Sequence, residues 1–212
     1  MDKKVLDEQI TKIQGWLGTG SINIFGLPMS GKDTAGTRLA EALGAEFLSS
    51  GSIIRKMEAE TAQNLTEHGA LVPSDVFYDW VLPYFAHKDL EGKALVLSSV
   101  GRWSGEEIPV MKAAEEGGHP IRAAVLLDLS EEAVAQRWEE ARAAGHRVGA
   151  ATEVRKDDAD FETFKTRIAE FHGKTEPVLR KYEELGLLVR VNADGTRDEV
   201  FERLVTALRE KL

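Results

Sequence analysis

Five short runs of the chain are apolar at nearly every position, and longer stretches with helical spacing lie between them. The runs cover residues 21–26, 46–49, 93–98, 121–129 and 187–191. Runs of this length without strict polar alternation read as strands buried on both faces, as in a parallel sheet. Apolar residues recur at helical spacing in 3–17, 31–43 and 105–117. Three further helices are predicted to begin at Ser50, at Pro73 and after the cap residue Ser130. A break is expected at Pro83. One long helix is expected over about 158–185 with a kink at Pro177, and a last one over 199–212. Residues 145–153 lose periodicity and gain Gly and Ala, which predicts a mobile loop. Strands and helices alternate throughout. Right-handed crossovers then give an α/β fold, a five-stranded parallel sheet with helices on both faces.

The helix at 3–17 precedes the first strand. Its stripe of Val5, Leu6, Ile10, Ile13 and Leu17 predicts packing against the domain in preference to self-association. The expected organisation is an N-terminal helical extension (1–20) followed by a single domain (21–212).

The first strand ends in Gly26-Leu-Pro-Met-Ser-Gly31-Lys32-Asp33-Thr34. The spacing Gly26-x4-Gly31-Lys32 is that of a phosphate-binding loop. Glycines let backbone N–H groups close around phosphate oxygens, the following helix adds its positive end, and Lys32 supplies a point charge. The plain alternative is a glycine-rich turn with an incidental lysine. The preceding β-type run, the following helix and the early position in the chain favour the phosphate loop. One position departs from the general pattern: Asp33 follows the lysine, and Thr34 comes one later.

Composition narrows the chemistry. The 212 residues carry a net charge of −9, which argues against non-specific nucleic-acid binding, so phosphates must be met by local clusters of arginine. With no cysteine, a disulfide framework, a cysteine zinc site and a thiol nucleophile are excluded. No run is long and apolar enough for a membrane helix, and the charged N-terminus lacks a signal core, so a cytoplasmic protein is expected. Ligands of such sheets bind at the carboxyl ends of the strands. Here those ends are the phosphate loop, 49–51, 98–102, Asp128 and 192–197.

Read in order, those ends resemble the adenylate kinase (nucleoside monophosphate kinase) family over residues 21–212. The phosphate loop resembles the family's G-x-P-G-x-G-K-G-T, and Ser50-Gly51-Ser52-Ile53-Ile54-Arg55 its T-G-D-x-x-R. Gly69-Ala70-Leu71-Val72-Pro73 is similar to G-x-L-V-P, and residues 98–102 stand at D-G-F-P-R. Val154-Arg155-Lys156-Asp157-Asp158 is similar to R-x-D-D, with Arg167 at the next phosphate arginine. Asp194-Gly195-Thr196-Arg197 is similar to the final D-G-T loop.

The resemblance implies a P-loop kinase with an acceptor-binding insertion at about 51–88 and a short lid at about 142–156. It implies transfer of a phosphoryl group from ATP, with Mg²⁺, to a nucleoside monophosphate, by a monomer whose partners are small nucleotides. Lys32, Arg102, Arg137, Arg155 and Arg167 would be catalytic cations. Gly26, Met29, Ser30, Gly31, Lys32, Asp33, Thr34, Arg137 and Arg197 would hold ATP. Ser50, Gly51, Arg55, Val72, Arg102 and Glu106 would hold the acceptor. A nucleotide-binding sensor or scaffold with weak turnover is the alternative.

Four departures bear on mechanism. The family's aspartates at the end of strand three and in T-G-D are Ser98 and Ser52, while Asp33 is an added carboxylate. Asp33, with Thr34, is the expected metal-site substitute; pairing of Asp33 with a nearby arginine is the plain alternative. Glu106 stands where AMP-specific members carry glutamine. A carboxylate only accepts hydrogen bonds, so guanine or cytosine would suit it better than adenine.

Overall fold

The computed structural model describes residues 2–63, 65, 66, 70–143 and 160–212. Strands β1 (Ser21–Gly26), β2 (Glu46–Ser49), β3 (Leu95–Ser98), β4 (Ile121–Asp128) and β5 (Leu188–Asn192) form one sheet in the order β2-β3-β1-β4-β5. Every pairing is parallel, as the unbroken apolar runs require. Helices α1 (Lys3–Leu17), α2 (Lys32–Leu43), α3 (Ser50–Thr61), α4 (Ser74–Trp80), α5 (Glu107–Glu116), α6 (Glu131–Ala143), α7 (Phe161–Glu170), α8 (Glu176–Glu184) and α9 (Arg197–Glu210) cover it. None of these helices is long and apolar enough to cross a membrane.

Successive side chains of a strand point to opposite faces, and both faces are apolar here. Ile22 and Ile24, Val96, and Ala123, Val125 and Leu127 form one cluster with Ile13 and Leu17 of α1, Leu39 of α2 and Leu204 of α9. Phe25, Leu95, Leu97, Ala124 and Leu126 form the other with Ile53 of α3, Phe77 of α4, Val110 of α5 and Leu179 of α8. The stripe of α1 is therefore part of the main core, against α9 and α2, and the helix packs as expected.

The long helix expected over 158–185 is three pieces. α7 starts at Asp160, whose carboxylate accepts the Thr163 N–H at 3.1 Å. A π-helical turn, Phe171–Thr175, then separates it from α8. Pro177 lies in the first turn of α8. It has no N–H to donate and its ring crowds the carbonyl four residues back, so the wider turn relieves the clash that a regular α-helix would create. Pro83 acts similarly: α4 ends at Trp80 and a 3₁₀ turn, Leu82–Ala86, follows.

The π turn places His172 between carboxylates from two helices. Its Nδ1 is 2.7 Å from Glu176 of α8 and its Nε2 is 2.9 Å from Glu131 of α6. Partial burial pulls the imidazole pKa down, but the hydrogen bond and charge of Glu176 and the charge of Glu131 outweigh it, so the pKa lies above its ordinary 6.5. A raised folded pKa stabilises the protein fully below the unfolded value and ceases to do so as pH rises through the folded value. His172→Asn is expected to lower stability more at about pH 6 than at about pH 9. Urea unfolding at the two pH values measures this, and equal losses would show that the imidazolium makes no pH-dependent contribution.

Candidate active site

β1 lies at the centre of the sheet between β3 and β4, so the crevice for a ligand opens at its carboxyl end. The loop there is built as its glycines predict. Gly31 has φ +87° and caps α2, and a Cβ on Gly26 would meet Ser30 Oγ at 2.5 Å. The Ser30 N–H donates to the Leu27 carbonyl at 3.1 Å, closing the turn. Ser30 Oγ is buried and has no hydrogen-bond partner among the described residues. Lys32 is buried at the first residue of α2, with Asp33 and Thr34 in the same turn.

Asp33 and Ser98 meet. Ser98 Oγ donates to Asp33 Oδ1 at 2.5 Å. A carboxylate therefore stands at the end of β3, although that strand itself ends in serine. It arrives from α2.

The second wall of the crevice is the segment from Ser99 to Glu106, whose backbone is held at several points by side chains. Asn23, buried in β1, accepts from the Val100 N–H at 3.2 Å and donates to the Val100 carbonyl at 2.7 Å. Ser50 donates to the Ser99 carbonyl at 2.7 Å, and Thr175 of the π turn donates to the Arg102 carbonyl at 3.3 Å. Glu106 Oε2 accepts the N–H groups of Arg102 (2.7 Å) and Trp103 (3.0 Å), while Oε1 accepts from Ser74 at 2.7 Å.

Beside this segment lies a cleft. Ser50, Gly51, Arg55, Val72, Arg102, Glu106 and Arg167 line it, so the expected acceptor residues and two of the expected catalytic arginines are brought together. Arg55 also donates to Ser52 at 3.2 Å. Ile54, Leu71, Phe77, Ser99 and Trp103 line the cleft too and were not singled out by sequence.

Arg137 sits elsewhere. Its guanidinium reaches the carbonyls of Met29 and Ser30 at 3.4 Å and those of Ala193 at 2.8 Å and Gly195 at 3.5 Å. It ties the phosphate loop to the loop before α9. Thr196 and Glu199 form a capping box there, and Arg197 is the first residue of that helix. Arg155 and most of the expected lid (142–156) lie outside the described residues, as does Gly69.

A phosphate loop at the centre of a parallel sheet, with a cleft lined by Arg55, Arg102 and Arg167 near the end of the neighbouring strand, defines a P-loop nucleotide-binding protein. Comparison with known proteins gives the same class. A model described as an AAA domain matches residues 22–171. An adenylate kinase of Thermus thermophilus is 31% identical over 199 residues, covering 91% of this chain and 99% of its own length. An adenylate kinase of Micrococcus luteus is 30% identical over 191 residues, covering 87% and 88%. One of Phocaeicola vulgatus is 28% identical over 198 residues, covering 91% and 99%. The chain belongs to the adenylate kinase-like family of P-loop proteins, whose activity class is nucleotide kinase-like phosphoryl transfer.

Two residues of the site hold left-handed backbone without being glycine: Met29 at φ +63° and Ser99 at φ +52°. Both stand where the family motifs have glycine. Each conformation costs about 1–2 kcal/mol for an L side chain. Ser99→Gly is expected to change stability by less than about 1 kcal/mol, because strain relief is offset by a freer unfolded chain. Ser99→Val, β-branched and buried, is expected to lose about 2 kcal/mol or more. Urea unfolding of the pair tests this; similar losses would show that backbone conformation is not the constraint at this position.

Proposed function

We propose that the protein transfers the γ-phosphoryl group of ATP to a nucleoside monophosphate, giving the diphosphate. The observation that carries the reading is the shared crevice: a phosphate loop with a buried lysine opens at the end of β1, beside a cleft lined by Arg55, Arg102 and Arg167. Phosphoryl transfer needs little covalent help from protein. It needs two phosphates held in line and their charge neutralised away from water. The loop amides and Lys32 would hold the donor phosphates. Arg55 and Arg102 would hold the acceptor phosphate, where planar guanidinium gives two-point contact. Arg167, and Arg155 by the family motif, would neutralise charge between them. Arg137 would keep the donor loop and the loop at 193–195 in fixed relation.

The family implies Mg²⁺. When bound, the ion would offset the charge of the donor phosphates. Among the described residues no group of three or more His, Asp or Glu side chains is placed to hold a metal ion. That fits an ion held chiefly by phosphate and water with one protein carboxylate, the usual pattern for Mg²⁺. Asp33, oriented by the Ser98 hydroxyl, is that carboxylate, and Thr34 in the same turn adds a hydroxyl. All three are hard oxygen donors. The lost aspartate at position 98 is thus replaced from α2, and this counts against the sensor or scaffold alternative.

The direct test is ATP consumption with Mg²⁺ and a panel of AMP, GMP, CMP, UMP and dTMP. Turnover that depends on a monophosphate supports the reading; none with any acceptor rejects it. Lys32→Met should lower kcat by at least about a hundredfold, the scale for removing one buried charge donor at a developing oxyanion. Asp33→Asn should raise the Mg²⁺ concentration needed for half-maximal turnover, and an unchanged Mg²⁺ titration would refute the metal role.

A further inference from the structure

The acceptor base could be read by Glu106 or by some other group lining the cleft. The hydrogen bonds of Glu106 narrow the choice. A carboxylate offers about four acceptor positions, two per oxygen. Both positions on Oε2 are filled by the backbone N–H groups of Arg102 and Trp103, and one on Oε1 by Ser74. Glu106 is 1% exposed. A two-point contact with guanine needs both oxygens, so Glu106 cannot provide it without abandoning the loop it holds. Other polar groups of the cleft are also engaged. The Ser50 hydroxyl donates to Ser99, the Thr66 hydroxyl donates to Glu58 at 2.9 Å, and the Val72 carbonyl already accepts one hydrogen bond.

What remains for a base is an aromatic surface. Trp103 lines the same cleft, and three contacts fix its place. Its backbone N–H is held by Glu106, and its indole Nε1–H donates to the Val72 carbonyl at 3.0 Å. The Lys174 ammonium lies 3.8 Å from the ring centroid and is itself paired with Glu170 at 2.5 Å. An indole pinned at its edge and covered on one face has little rotamer freedom to lose on binding. That preorganisation makes stacking effective.

We propose that Trp103 is the stacking platform for the acceptor base, and that Glu106 is a positioning residue that holds it. The proposal rests on the reading of the cleft as the acceptor site. Because stacking is tolerant of base identity, discrimination among acceptors comes from size and shape more than from edge hydrogen bonds.

The test compares Trp103→Ala, Trp103→Phe and Glu106→Gln with wild type in the full chain, using the same monophosphate panel. Trp103→Ala should raise the acceptor KM by about tenfold or more for every acceptor the wild type uses, with the KM for ATP unchanged. Trp103→Phe keeps a stacking ring and should restore most of the loss. Acceptor monophosphate should quench tryptophan emission in the wild type and much less in Trp103→Phe. Glu106→Gln should raise the acceptor KM values together and leave their order as it was. If Glu106→Gln reorders the acceptors while Trp103→Ala keeps the wild-type acceptor KM, Glu106 reads the base and the platform is overturned. If the wild type neither consumes ATP in the presence of any monophosphate nor shows quenching, the acceptor reading fails and the platform fails with it.

Discussion

Asn23 sets the geometry on which the site depends. It is a polar side chain in the middle of an apolar strand, fully buried, and both of its polar atoms bond the backbone of Val100. The same strand ends three residues later in the phosphate loop. One element therefore carries the phosphate loop at its end and holds the loop after β3 from its middle. A buried amide left without partners would cost about 1–3 kcal/mol for each group lost, so the arrangement is strongly favoured over a slipped loop. For in-line transfer this matters more than any single cation, because charge placed an ångström off line does little for the transition state.

The second constraint is electrostatic. A chain with net charge −9 gathers cations at the carboxyl ends of its strands, where loop amides and the α2 N-terminus add further positive potential. An added carboxylate there would be repulsive toward phosphate unless something offsets it. The Asp33–Ser98 hydrogen bond gives the carboxylate a fixed place at the end of β3. Met29 and Ser99 hold left-handed backbone at positions where the family motifs have glycine. Together these two positions cost about 2–4 kcal/mol of strain, a large share of the 5–15 kcal/mol that domains of this kind retain. Such strain persists only where surrounding contacts over-determine the loop; Asn23 and Ser50 supply them around Ser99, and Arg137 holds the carbonyl of Met29.

The sheet was legible in the sequence because its signal is local. A strand buried on both faces must be apolar at nearly every position, and a helix between two such strands must show an apolar stripe. The phosphate loop was legible for the same reason: close backbone approach requires glycine at set spacings, and Gly26 and Gly31 show it. The segment that became α7, the π turn and α8 read as one helix, because spacing reports which face is buried and not how many residues make a turn. The four carbonyl contacts of Arg137 come from loops 108 to 56 residues away in the chain, and no local pattern encodes them. Trp103 was missed because an isolated aromatic carries no period.

Glu106 shows where residue identity stops being informative. Its type was read correctly as acceptor-only. What the sequence does not carry is how many of its acceptor positions are already filled. A carboxylate facing a cleft is a recognition group only in proportion to the lone pairs it has left. Here two backbone N–H groups and one hydroxyl take most of them, one of the N–H groups being that of Trp103. The same reasoning applies to Val72. Its carbonyl lines the cleft as the family motif implies, yet the Trp103 indole occupies one of its two acceptor positions. Two polar residues lining the cleft are thus joined to one aromatic side chain. If this cleft holds the acceptor, as proposed, the site would need little reordering on binding and would discriminate by shape more than by free hydrogen-bonding groups.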